Sequence, residues 1–377
     1  MTRSFVFIFE VFLHKRSFKV NRGAADVYPV AFRHSLTVSR FTRSQAPSLQ
    51  WPPSAWLHAR RSCFEIEYFI FLSYNKIMTN LIHKYFINKI RKEWASNDAK
   101  RDAGLTISDK VNVCDNISYG AHGRNNLLCV YTPKNAEGKL PVIINIHGGG
   151  FFYGDKELYG LYSADMAERG FAVVVFNYRL CPENLYPAPL EDINNVTKWV
   201  LAHCEEFNFE REHIYIVGDS AGGQLALNYT TILTNPDYAR LFAADFEVPD
   251  FIPNAVCLNS ALCNLAKDGQ VDADAKPILT AYLGTTRRIK KNIERLDVQK
   301  YITSKFPPVF VMTAPNDFLF AQTKPLHELF LSRGVKSEYH LYGQPSDDWA
   351  NHVFHLNLRL PAGRQCNDDE ADFLKKN

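Results

Sequence analysis

The sequence predicts an α/β fold: a mostly parallel central sheet with helices on both faces. Three observations carry that expectation. From about residue 111 onward, short runs rich in β-branched and aromatic residues alternate with helix-period segments. The middle runs are apolar almost throughout, as strands covered on both faces must be. The unusual glycine-rich and polar motifs fall where strands end, and open sheets of this kind collect ligands at the carboxyl ends of their strands.

In chain order, strands are expected at 127–131, 142–146, 171–178, 213–217, 255–258, 309–313 and 336–342. Helical patterns lie between them, notably around 188–204, 221–234 and 322–333. Further upstream, Ile82, Phe86, Ile90 and Trp94 recur every four residues with lysines and an arginine between them, which reads as an amphipathic helix. Before residue 78 no such period is sustained. Residues 1–77 hold 11 Lys/Arg against 4 Asp/Glu, whereas the whole 377-residue chain carries a net charge of only +3. Residues 1–77 are therefore expected to be either an over-extended upstream reading or a poorly ordered basic extension, a targeting presequence being the third reading. Residues 78–377 are expected to form the folded domain.

A hydrophobic content of 46% with 22% charged residues excludes wholesale disorder, and the near-neutral balance gives no reason to expect nucleic acid as a partner. The apolar stretch 5–13 is too short to span a bilayer and is interrupted by Glu10, so stable membrane insertion is not expected. Eight cysteines in so long a chain show neither zinc spacing nor the density of a disulfide scaffold. Reduced thiols and a cytoplasmic location are the default.

The strongest motif is Gly218-Asp219-Ser220-Ala221-Gly222, directly after the strand His213–Val217 and directly before a helical run. In that context G-x-S-x-G places the serine on a tight, strained turn with its hydroxyl exposed at the top of the sheet. The second motif, His147-Gly148-Gly149-Gly150, ends another buried strand, and its glycines can turn bare backbone N–H groups toward a ligand oxygen. His147 is expected to orient that loop. No Gly-Lys-Ser/Thr follows, so a P-loop is excluded.

A nucleophilic serine needs a base, and the base needs an acid. Asp317 follows the apolar strand 309–313, where its alternative reading is a helix cap; Asn316 is the nearby polar alternative. His352 is the expected base, with His355 and His340 as rivals. Ser220, Asp317 and His352 then occur in the order Ser…Asp…His. Asp347 and Asp348 read as loop residues, the acidic run Asp368-Asp369-Glu370 as the start of a terminal helix, and Asp272 with Asp274 as a chance pair.

Taken together, His147-Gly148-Gly149-Gly150-Phe151, Tyr178-Arg179-Leu180, Pro182-Glu183, Tyr186-Pro187-Ala188-Pro189, Asp192 and Gly218-Asp219-Ser220-Ala221-Gly222-Gly223 resemble the hormone-sensitive-lipase-like branch of α/β-hydrolases over about residues 100–377. The resemblance implies an α/β-hydrolase fold with a small helical cap from segments near 80–105 and 262–300. It implies Ser220 as nucleophile and the N–H groups of Gly149, Gly150 and Ala221 as an oxyanion hole. The chain departs from the commonest pattern at Ala314-Pro315 and at Val353, where glycines are frequent.

The expected function is a serine carboxylesterase for short-chain acyl esters, acting through Ser220, Asp317 and His352 on a small-molecule ester, with no metal or organic cofactor. A deacetylase of acetylated sugars or other small esters is the alternative, and a non-catalytic ligand receptor on the same fold is the reading from a different class. A homodimer is left open. The charged stretch 286–300 reads as a solvated helix face.

Overall fold

The structure, a computed structural model, describes residues 84–272 and 275–377. The expected extension over 1–77 lies outside the described residues, as does Asp274. Residues Phe86–Asn377 form one compact unit, and of the other, Met1–Tyr85, only Lys84 and Tyr85 are described.

A helix over 84–102 (α1) leads into an eight-stranded sheet. Its strands are β1 (Val111–Ser118), β2 (Leu127–Pro133), β3 (Leu140–Ile146), β4 (Ala172–Phe176), β5 (Phe209–Asp219), β6 (Val256–Asn259), β9 (Val309–Thr313) and β10 (Ser337–Leu341). They lie in the order β1-β2-β4-β3-β5-β6-β9-β10. β1 and β2 run antiparallel at one edge, and β4, β3, β5, β6, β9 and β10 are mutually parallel. The chain leaves β3 for β4 on one side and then returns to β5 on the other. That reversal opens a crevice at the carboxyl ends of β3 and β5, where an open sheet accommodates a ligand.

The two-residue period of the strands divides the core. Val142, Ile144, Ile214, Ile216, Val256, Leu258, Val309 and Val311 pack with α3 (Ala188–Ala202), α4 (Ser220–Thr234) and α7 (Phe320–Ser332). Ile143, Tyr215, Val217, Cys257, Phe310 and Met312 face α2 (Gly160–Glu168) and α8 (Pro361–Lys376) on the other side. Each fully buried aliphatic side chain contributes about 1.5–3 kcal/mol, so the middle strands hold the two layers together. Between β6 and β9 are inserted a small hairpin (β7, Ala266–Lys267; β8, Gln270–Val271) and helices α5 (Lys276–Leu283) and α6 (Thr286–Lys291). In α6, Arg287, Arg288, Lys290 and Lys291 are exposed around the buried Ile289, as a solvated face requires. Among the described residues no helix is long and apolar enough to cross a membrane.

The expected strands and helices are present within a few residues, and three elements differ. β1 escapes a pattern search because it is an edge strand whose VNVCDNIS sequence is exposed at most positions. α2 is buried on most sides and shows no apolar stripe. The terminal helix begins at Pro361, not at Asp368, so its acidic run sits mid-helix rather than at the N-terminus. Glu370 in that run is fully buried. It accepts hydrogen bonds from Tyr162 Oη on α2 (2.7 Å) and from Asn259 Nδ2 at the end of β6 (2.8 Å). Removing this carboxylate strands two buried donors. Glu370→Ala is expected to cost about 3 kcal/mol in chemical denaturation, whereas Asp368→Ala, which breaks only the exposed pair with Arg169, is expected to cost under about 1 kcal/mol.

Candidate active site

Ser220 stands at the join of β5 and α4, with φ at +52°. A non-glycine residue in that region is strained, and here the neighbours enforce it. The first turn of α4 approaches the end of β3 so closely that a Cβ on Gly222 would lie 2.0 Å from the Ile146 carbonyl oxygen. Glycine is the residue that fits, and the backbone must turn sharply at Ser220 to bring the helix there.

Asp317 and His352 come from the loops after β9 and β10. His352 Nδ1 is 2.8 Å from Asp317 Oδ1, and His352 Nε2 is 2.9 Å from Ser220 Oγ. Burial opposes ionisation of Asp317, but the charge and hydrogen bond of His352, the Leu319 N–H and Ser260 outweigh it, so the carboxyl sits below its ordinary range. An ionised carboxylate can only accept, which places the proton on Nδ1 and leaves Nε2 to accept from the Ser220 hydroxyl. Asp317 does not cap α7, whose N-cap is Leu319 without a side-chain cap bond; Leu319 N instead donates to Asp317 Oδ1 at 2.8 Å, closing the turn ahead of the helix. Ser260, at the end of β6, accepts from Val353 N at 3.3 Å.

The rival residues are elsewhere. His355 is buried edge-on against Tyr162, and His340 stacks on Phe310. Asn316 Nδ2 donates to the carbonyls of Pro345 and Asp347. Among the described residues no group of three or more His, Cys, Asp or Glu could hold a metal ion.

The glycine turn after β3 lies against the serine, since a Cβ on Gly148 would be 3.2 Å from Ser220 Cβ. Gly149 has φ +110°, with the Tyr153 carbonyl oxygen 2.1 Å from where a Cβ would stand. Gly150 follows at φ +60°, and Ala221 sits in the first turn of α4. Several groups fix this turn. His147 stacks on Tyr178, whose hydroxyl donates to the His147 carbonyl at 2.9 Å, and burial lowers the imidazole to a pKa of about 4, so it is neutral. From α1, Arg91 donates to the Phe152 carbonyl (2.6 Å) and the Cys181 carbonyl (2.9 Å) while pairing with Glu183. Arg179, in the loop after β4, pairs with the buried Asp192 of α3 at 2.9 Å.

Sequence reasoning passed over Asp219, the variable position of the serine motif. Its buried Oδ2 accepts from Tyr159 Oη at 2.8 Å, and that hydroxyl accepts from Gly148 N at 2.8 Å. Asp219 thus ties the serine turn to the glycine turn. The signal was available: an acid ending a strand that is otherwise buried and apolar must find a partner inside the protein.

The sequence profile of the BD-FAE family matches residues 128–329, more than half of the chain. The chain belongs to the BD-FAE family of α/β-hydrolases. Among curated relatives, the probable carboxylic ester hydrolase LipM of Mycobacterium tuberculosis is 29% identical over 54% of this chain and 48% of its own length. Versiconal hemiacetal acetate esterase of Dothistroma septosporum is 42% identical over 26% of this chain and 30% of its own length. The chain thus spans half or less of these relatives. Esterase B of Lactobacillus rhamnosis superposes with a TM-score of 0.69 at 23% identity, covering 78% of this chain and 95% of that one. A bacterial heroin esterase gives 0.61 at 22% identity, with 77% and 91% covered. These likenesses bear out the α/β-hydrolase fold expected from the motifs.

Burial pushes the Asp219 carboxyl up to about 7 from its ordinary 3.8, against the Tyr159 hydrogen bond and the nearby His352. Between those values the folded protein retains a proton that the unfolded chain has released. This contribution to stability is full below about pH 4 and declines as the pH rises to 7. Asp219→Asn is expected to remove that decline, read as the difference in urea midpoint between variant and parent across pH 4 to 8. An unchanged difference would clear Asp219 of the effect.

Proposed function

We propose that the chain is a serine carboxylesterase that hydrolyses esters with short acyl groups. The observation that carries this reading is the bridge made by His352, 2.9 Å from Ser220 Oγ and 2.8 Å from Asp317 Oδ1. His352 takes the Ser220 proton as the hydroxyl attacks the ester carbonyl. Asp317 holds the imidazole tautomer and stabilises its charged form. The backbone N–H groups of Gly149, Gly150 and Ala221 receive the oxyanion, aided by the N-terminus of α4. The alcohol departs with the proton from His352, and water, activated by the same base, releases the acid from the acyl-serine. No metal or organic cofactor enters this scheme.

The preference for a short acyl group rests on the walls beside the glycine turn. A Cβ on Gly150 would meet the buried Phe152 ring at 2.9 Å and Ile278 at 3.4 Å. Phe152 is itself backed by Trp94 at 5.2 Å. Two relatives carry names that fit small acyl groups, the acetate esterase above and an arylacetamide deacetylase of Oryctolagus cuniculus, 35% identical over 33% of this chain. The cysteines among the described residues are free, as suits a reducing compartment, and we assign the protein to the cytoplasm.

A graded series of p-nitrophenyl esters tests both parts. The acetate and butyrate are expected to turn over at least about 10-fold faster than the long-chain esters. Ser220→Ala is expected to lower kcat by about 10⁴-fold or more with an unchanged circular dichroism spectrum. Residual turnover within 10-fold of the parent would remove Ser220 from the mechanism.

A further inference from the structure

The turn that presents Asp317 to His352 presents the next side chain as well. The Phe318 ring lies 4.2 Å from the His352 ring, tilted by 44°, and the residue is 64% exposed. Its position is set by the turn itself, because Leu319 N donates to Asp317 Oδ1 and Phe320 N donates to the Asp317 carbonyl at 3.0 Å. Phe320, two residues on, is a second exposed aromatic at the start of α7. A large apolar ring held open to solvent leaves apolar surface uncovered, and at the edge of a reacting group it offers a contact to whatever binds there.

The direction of the reaction says which half of the substrate that is. In the ester hydrolysis proposed above, on which this inference rests, the departing oxygen receives its proton from His352 Nε2. It must therefore come within about 3 Å of that nitrogen. The carbonyl oxygen is directed instead to the N–H groups of the glycine turn, and the acyl group stays bonded to Ser220 until water releases it. Substituents on the departing oxygen run past the flank of the imidazole, and Phe318 is the side chain packed there.

We propose that Phe318 is the specificity-determining residue for the alcohol half of the ester, selecting aryl and other large apolar alcohols over small or polar ones. A planar apolar leaving group covers the exposed ring and stacks on it. A small alcohol leaves it in water. The contact forms alongside the proton transfer from His352, so it strengthens kcat/KM for the bulky ester without requiring a wider acyl site.

The experiment holds the acyl group constant as acetyl and varies the alcohol, comparing 2-naphthyl acetate with ethyl acetate for the parent, Phe318→Ala and Phe318→Tyr. Comparing variants on each ester cancels the intrinsic reactivity of the leaving group. Phe318→Ala is expected to reduce kcat/KM for 2-naphthyl acetate at least about 10-fold more than for ethyl acetate. Phe318→Tyr, which keeps the ring, should restore most of that difference. As a binding readout, 2-naphthol should inhibit the parent more strongly than Phe318→Ala. Equal losses on the two esters would overturn the proposal and leave Phe318 as a prop for the His352 ring. No loss on either ester would overturn it as well. Absence of turnover by the parent on every acetate would bring down the esterase reading and this one with it.

Discussion

The close approach of α4 to the end of β3 is the constraint on which the rest of the site depends. A glycine at 222 lets the helix begin almost in contact with a neighbouring strand's carbonyl, and Ser220 is bent into the left-handed region as a result. The strain does not stop there. Phe151, Ser260 and Val353 also have positive φ, and each lies on a loop beside Ser220 or His352. The other non-glycine residues of this kind among those described are Asn116, Asn208 and Asp268, types that tolerate the conformation. A β-branched residue such as Val353 does not, at a cost of about 1–2 kcal/mol. The parallel strands beneath, buried on both faces, offset these local costs and keep the four loops in a single arrangement.

Two buried acids near the serine are driven in opposite directions by their surroundings. Asp317 faces an imidazole, a backbone N–H and a hydroxyl, all favouring its charged form. Asp219 has one tyrosine hydroxyl as its close donor and is held up by burial. The first can stabilise a positive charge that appears on His352. The second acts on geometry, because through Tyr159 it reaches the backbone of the glycine turn rather than the His352 ring.

Most of the sheet was legible because its middle strands are short, apolar and bounded by motif residues. Val309–Thr313 was placed to the residue. What escaped has physical causes in common. β1 is an exposed edge strand and α2 a helix covered on most sides, and neither displays the one-sided pattern from which elements are read. The site behaved in the same way. Ser220 and Asp317 announce themselves by residue type at strand ends and His352 by its order after them, whereas Asp219, Tyr159 and Ser260 act through partners distant in sequence. Glu370 is the extreme case. An acidic run suggests a solvated helix start, and only the folded arrangement reveals that one of the acids is turned inward.

Glu370 also bears on how the protein is made. Its hydroxyl partner, Tyr162, lies 208 residues earlier in the chain. At ordinary elongation rates of 5–20 residues per second, that partner leaves the ribosome about 10–40 s ahead of the acid that satisfies it. Until α8 follows, the face of the sheet it later covers has no lid; Tyr162, and Asn259 once it has been made, have only water in place of Glu370. The nascent chain therefore passes through a stage in which apolar strand surface is open to other chains, and chaperone capture fits that window. Docking of α8 closes it, so the helix that carries Glu370 is the one that seals this face of the sheet.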